Sequence, residues 1–193
     1  PPMTPKNHFP HKPLNTPFPV FPTPRAGKLA VTHERMYFSH CPPWPADAAS
    51  PDQQKLLCGA LLDLDHFKHI NDAHGYLAGD EVLRTAAQAL QTSLRQGDFV
   101  ARIGGDEFAL LLPVHDAGCV LSIIERARNS VPRRLLAAGQ HAVTVSAGYL
   151  VVDASEAGSL WGRPDELLES LHAALRRAKQ EGRDRSQSAG QHH

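Results

Sequence analysis

The chain has 193 residues, 41% of them hydrophobic, and its 20 basic side chains balance 20 acidic ones to a formal net charge of zero. That size suits one domain plus an appendage, with enough apolar material for an ordinary core. Balanced charge excludes a general attraction to nucleic acid or anionic membrane, so any nucleotide must be held by a local site.

No apolar run is long enough for a membrane span, and no charged start followed by an apolar stretch marks a signal peptide. Cys41, Cys58 and Cys119 lack metal-like spacing and read as free thiols, which suits a reducing cytoplasm. The chain opens without Met and ends in His192-His193, so it is expected to be a segment of something longer. Residues 1–28 are rich in Pro and carry no acid, which predicts an extended tail or linker. A short helix is expected from Leu29 to Phe38, stopped by Pro42, Pro43 and Pro45.

Leu56 to Leu64 is nearly continuous in apolar residues and ends in Asp63-Leu64-Asp65, the pattern of a central strand buried on both faces with acids at its C-terminal end. A short helix or turn is expected over Phe67–Asp72, and an amphipathic helix starting at Asp80 and closed by Gly97, with Val82, Leu83, Ala86, Ala87, Leu90 and Leu94 on one face. Phe99 to Ile103 and Phe108 to Leu112 read as a hairpin, its two-residue turn supplied by the positive φ angles open to Gly104-Gly105. A helix is expected from Asp116 to Val131, ended by Pro132, then a strand over Ala142–Val152 with Gly148 as a bulge or close approach. Pro164 and Asp165 open a last helix, and the polar tail after Asp184 is expected to fray. These elements make an α/β layer structure, a mixed or antiparallel sheet covered by helices.

Asp63, Asp65 and Asp106 stand at the ends of strands expected to be neighbours. Carboxylates so placed offer the hard oxygens that Mg²⁺ prefers while it keeps water and phosphate oxygens in its shell, the minimum equipment for phosphoryl or nucleotidyl transfer. Solvated strand ends are the plain alternative. Lys179 and Arg183, four apart on the last helix, can grip one anion together or simply sit as cations near a helix C-terminus. Arg95 and Asp98 can be a local ion pair, and Arg126 a helix-surface charge.

Taken together, Asp63-Leu64-Asp65-His66-Phe67-Lys68, Asn71-Asp72, Gly79-Asp80, Gly104-Gly105-Asp106-Glu107-Phe108 and Lys179 with Gly182-Arg183 stand in an order and at separations that resemble the GGDEF domain of diguanylate cyclases. The resemblance covers about Leu29 to Asp184, with 29–50 as a degenerate opening block and 185–193 as a polar tail. It implies an α/β (α+β) fold, a nucleotidyl-cyclase or polymerase-palm-like sheet with an antiparallel core and hairpin surrounded by helices. It further implies condensation of two GTP into cyclic di-GMP by a homodimer. Asp63, the Leu64 carbonyl and Asp106 would hold Mg²⁺ or Mn²⁺, with Glu107 at a second metal or at the ribose 3′-hydroxyl. Asn71 and Asp80 would read guanine. Lys68, Lys179, Arg183 and the backbone around His66 and Phe67 would meet the phosphates, and Gly104 and Gly105 would let nucleotide pass close to the backbone. Arg95-Gln96-Gly97-Asp98 fits the RxxD pattern of product-inhibited members, with Arg126 as a further arginine of that site.

Departures lie at the N-terminal side, where Leu29–Phe38 keeps only a trace of the family's opening block and prolines interrupt the helix expected after it, and at Tyr76, which replaces the usual His after Gly75. They bear on coupling to an upstream regulatory domain or partner. A catalytically silent module that binds GTP or cyclic di-GMP is the alternative to an active cyclase.

Overall fold

Strand β1, Leu56–Leu64, has apolar side chains on both faces, and that double burial organises the molecule. Successive strand side chains alternate, so Cys58, Ala60, Leu62 and Leu64 join one core while Leu57 and Leu61 join another. A strand of this kind belongs in mid-sheet. The computed structural model describes residues 56–153 and 164–191; the Pro-rich segment and the helix expected over Leu29–Phe38 lie outside them.

The remaining strands are β2 (Phe99–Gly104), β3 (Glu107–Val114), β4 (Val145–Asp153) and β5 (Ser186–Gln191). Their order in the sheet is β2-β3-β1-β4-β5. β1 runs antiparallel to both β3 and β4, β2 is antiparallel to β3, and β5 lies parallel to β4. The helices are α1 (Phe67–His74), α2 (Tyr76–Ser93), α3 (Val120–Ala137) and α4 (Pro164–Gln180). α2 and α3 cover the even-numbered face of β1 through Val82, Leu83, Ala86, Leu90, Ile124, Ala127, Val131 and Leu135. α4 covers the other face through Leu167, Leu171 and Leu175.

Gly148 fixes how closely α4 can sit. A Cβ there would lie 2.4 Å from the Leu175 backbone nitrogen and 2.6 Å from the Leu171 carbonyl oxygen, so the expected close approach is that of the α4 backbone. Among the described residues two cysteines carry free thiols, Cys58 buried and Cys119 half-buried. Cys58 and Cys119 form no disulfide, and burial pushes the Cys58 thiol up to about 12.

Several boundaries differ from the sequence expectation. α2 begins at Tyr76 rather than Asp80; its first turn faces solvent, with Tyr76 and Leu77 more than 80% exposed, so the buried stripe that marks the helix in the sequence does not extend to it. α3 runs through Pro132 to Ala137. The proline removes one backbone donor, but the buried stripe of Ile124, Ala127, Val131 and Leu135 continues across it and outweighs the loss. The strand expected from Ala142 starts at Val145. The tail after Asp184 does not fray. It forms β5, held by backbone pairing to β4 that needs no apolar side chain.

Candidate active site

The odd-numbered side chains of β1 that face α4 end at Asp63. On α4 the stripe of Leu171 and Leu175 leads by the same four-residue step to Lys179. The two meet: Lys179 Nζ lies 2.8 Å from Asp63 Oδ2. Asp63 is only 5% exposed and pairs across the sheet with Glu107 on one side and Ser146 on the other. Burial pushes its carboxyl up to about 6. The hydrogen bond from Lys179 pulls the other way, the Asp106 and Glu107 carboxylates add to the rise, and the lysine offsets only part.

The hairpin turn consists of Gly105 and Asp106, since Gly104 pairs with Glu107. Of the two signature glycines only Gly105 has positive φ, at 43°, which corrects the expectation for Gly104-Gly105. Gly104 instead leaves open space where a Cβ would stand. Arg102 Nε donates to the Gly105 carbonyl at 2.8 Å and braces the turn from beneath. The Leu64 N–H donates to the Asp106 carbonyl at 3.2 Å and ties the turn to the end of β1.

Asp65 does not join this group, contrary to the sequence reading. β1 ends at Leu64, and the chain turns away at His66, whose φ of 58° is left-handed. The Asp65 carboxylate accepts from Thr144 Oγ1 and Ser146 Oγ, each at 2.7 Å, and from the Asp184 N–H at 3.1 Å. Three of the roughly four lone-pair sites of the carboxylate are thus engaged by protein donors at the start of β4 and at the turn after α4.

Among the described residues no three carboxylate, His or Cys side chains converge as a ready-made metal cage. The donor set nevertheless fits a hard divalent cation. One buried carboxylate is crowded by two more and answered by a single ammonium, so a cation completed by water and nucleotide oxygens would relieve the crowding.

Asn71, on α1, lies against Gly79 of α2. A Cβ at Gly79 would fall 1.9 Å from Asn71 Oδ1 and 3.1 Å from Phe67 Cζ. Gly79 is therefore what leaves room for the Asn71 side chain against α2, one residue before exposed Asp80, with the two helices joined at Gly75, whose φ is 81°. Phe67 and Lys68 open α1, so their N–H groups have no partner within the helix; Phe67 is buried and Lys68 exposed.

Arg183 is not on α4, which ends at Gln180. It stands in the following turn with φ 62°, its N–H donating to the Ala178 carbonyl at 3.0 Å. Its side chain is exposed, and no carboxylate pairs with it among the described residues.

Arg95 and Asp98 form a local pair, Nε to Oδ1 at 3.2 Å, and the Arg95 N–H also donates to Asp98 Oδ2 at 3.1 Å. Arg95 Nη2 donates to the Pro113 carbonyl. Arg126 Nε reaches the Ser93 carbonyl at 3.2 Å, so both arginines stand at the C-terminal end of α2. Beyond Arg126, Arg133 and Arg134 line an open groove between α2 and α3 together with Thr92, Ser93 and Ser130. Neither of these two arginines carries a motif that sequence reading could have found.

Comparison with known proteins gives this arrangement its family. The family model described as "Diguanylate cyclase, GGDEF domain" matches residues 46–185. Diguanylate cyclase DgcP of Pseudomonas aeruginosa is 41% identical over 136 residues, 67% of this chain and 19% of that protein. Diguanylate cyclase DgcM of Escherichia coli is 42% identical over 125 residues, 65% of this chain and 29% of that protein. The chain thus spans less than a third of either relative. Among solved structures, the GGDEF domain of DgcB from Caulobacter crescentus in complex with c-di-GMP is similar at TM-score 0.60 and 34% identity, over 70% of this chain and 78% of that one. Diguanylate cyclase SiaD in complex with its activator SiaC, from Pseudomonas aeruginosa, is similar at TM-score 0.60 and 34% identity, over 72% and 52%.

Proposed function

This chain belongs to the GGDEF family of diguanylate cyclases, and on that premise we propose that it condenses two GTP molecules into cyclic di-GMP and two pyrophosphates. The observation that carries the reading is Asp63: a buried carboxylate at a strand end, facing a lysine and crowded by Asp106 and Glu107. Such an excess of carboxylate over cation favours the binding of a divalent cation, which can in turn hold a polyphosphate.

In this reading Asp63, the Leu64 carbonyl and Asp106 hold Mg²⁺ or Mn²⁺. The metal, when bound, neutralises charge on the triphosphate. Lys68, Lys179 and Arg183 grip the phosphates with the first N–H groups of α1. Asn71 and Asp80 read the guanine edge. A carboxylate suits guanine, whose N1–H and amino group both donate, and disfavours adenine, whose N1 accepts. Glu107 stands at the ribose 3′-hydroxyl or a second metal, and Gly104 leaves room for the nucleotide to pass.

One domain holds one GTP, so two domains must face each other and turnover follows their encounter. A regulatory domain or separate partner would supply that proximity; the similar diguanylate cyclase SiaD forms a complex with its activator SiaC. Arg95, Asp98 and Arg126 form the inhibitory product site, since guanidinium groups suit both phosphate and guanine.

Purified protein with GTP and Mg²⁺ is expected to yield cyclic di-GMP by mass spectrometry, with specific activity rising with protein concentration, and Asp106→Ala is expected to abolish it. No product at any concentration, with Asp106→Ala behaving like the parent, removes the enzyme reading. Added cyclic di-GMP is expected to inhibit the parent protein and to lose most of that effect on Arg95→Ala. Equal inhibition of both sinks the product-site assignment.

A further inference from the structure

The turn that carries Arg183 is unusual in backbone terms. Gly182, Arg183 and Asp184 have φ of 115°, 62° and 48°, three left-handed residues in a row, two of them not glycine. A conformation of this kind persists only where its surroundings hold it. Here they do so from three directions.

Asp65, 4% exposed, accepts the Asp184 N–H while its other contacts, Thr144 and Ser146, fix it to the start of β4. Arg128, 7% exposed on α3, donates from Nη1 to the Asp184 carboxylate and, at 3.3 Å, to the Val145 carbonyl. Glu125, one turn earlier, orients Arg128 through Nε at 3.1 Å and Nη2 at 2.7 Å, and accepts from Ser186 Oγ at 2.6 Å just past the turn. Two buried charged side chains thus converge on the residue next to Arg183, and one of them is two residues from Asp63.

We propose that Asp65 and Arg128 are positioning residues for nucleotide binding: they lock the Gly182–Asp184 turn so that the Arg183 guanidinium is aimed at the triphosphate before GTP arrives. The inference rests on the role given to Arg183 above. Preorganisation of this type lowers the cost of ordering a flexible cation when the anion binds. Glu125 holds Arg128 in the geometry that only a planar guanidinium can satisfy, so lysine is a poor replacement there.

The test is a double-mutant cycle on the full chain, reading the affinity for a non-hydrolysable GTP analogue with Mg²⁺ by calorimetry, alongside KM and kcat. Arg183→Ala, Asp65→Asn and Arg128→Lys are each expected to weaken the analogue about tenfold and to raise KM, and for Asp65→Asn and Arg128→Lys kcat at saturating GTP is expected to change little. In the Arg183→Ala background, Asp65→Asn is expected to add less than about twofold, because the residue it positions is gone. A purely structural role predicts the opposite: lower melting temperature with unchanged affinity, or the same fractional loss in both backgrounds, and either result overturns the inference. Amide exchange in the nucleotide-free protein gives a second reading. The Asp184 N–H is expected to be protected in the parent and to lose protection in Asp65→Asn, and an unprotected Asp184 in the parent also overturns it. If the parent binds no GTP analogue, the functional reading fails; if it binds and only Arg183→Ala weakens it, the positioning role alone fails.

Discussion

Asp63 and Asp65 are two residues apart in Asp63-Leu64-Asp65, chemically identical, and differ in everything the fold does with them. Asp65 has three donors; Asp63 has one lysine and two acidic neighbours. Sequence could place both at a strand end, but only the left-handed turn at His66 separates their roles, and no local pattern announces that turn. The consequence for Asp63 is a stability cost. Its folded pKa, about 6, lies above its ordinary value of 3.8. Its contribution is therefore favourable below pH 3.8 and lost as pH rises through about 6. Asp63→Asn is expected to stabilise the nucleotide-free protein by about 2 kcal/mol at pH 8, with the gain vanishing near pH 4. Urea unfolding at the two pH values checks it; equal effects at both would count against a charge origin.

Glycines at helix contacts make separable predictions for the elements they join. At Gly148 an added Cβ meets the backbone of α4, which cannot yield, so Gly148→Ala is expected to destabilise by about 2–3 kcal/mol in urea unfolding. At Gly79 the obstacles are the end of the Asn71 side chain, which can rotate away, and the edge of the Phe67 ring at 3.1 Å, which needs to give by only a few tenths of an ångström. Gly79→Ala is thus expected to change stability by less than about 1 kcal/mol while raising KM for GTP roughly tenfold. Loss of stability with unchanged KM would separate Asn71 from guanine reading. Elements were legible in the sequence where apolar spacing wrote them: β1 falls at Leu56–Leu64 as expected, and α4 begins at Pro164. They were not legible where backbone alone decides. The first turn of α2 faces water, Pro132 is overridden by the buried stripe around it, and Ser186–Gln191 has no apolar alternation because an edge strand pairs through its N–H and C=O groups.

At the scale of the whole molecule the sheet brings together chain segments more than a hundred residues apart. Asp63 meets Lys179, and Asp65 meets Asp184, so the site depends on α4 and the turn after it as much as on the signature hairpin. That is why separations between motif blocks, rather than any block alone, carried the resemblance. No helix among the described residues is long and apolar enough to cross a membrane.

The placement of β5 has a consequence for handling the protein. The family match stops at residue 185, one residue before the strand begins. Cutting there would strip the cover from β4, leaving its hydrogen-bonding edge bare beside Val145, Ala147, Leu150, Val151 and Val152. An open edge of that composition is a template for pairing with other chains. β5 is a poor template, being polar, irregular in register between Tyr149 and Val151, and bent at Gly190, where φ is 104°. A chain ending at Arg185 is therefore expected to aggregate under conditions in which the full chain remains dispersed, as read by light scattering.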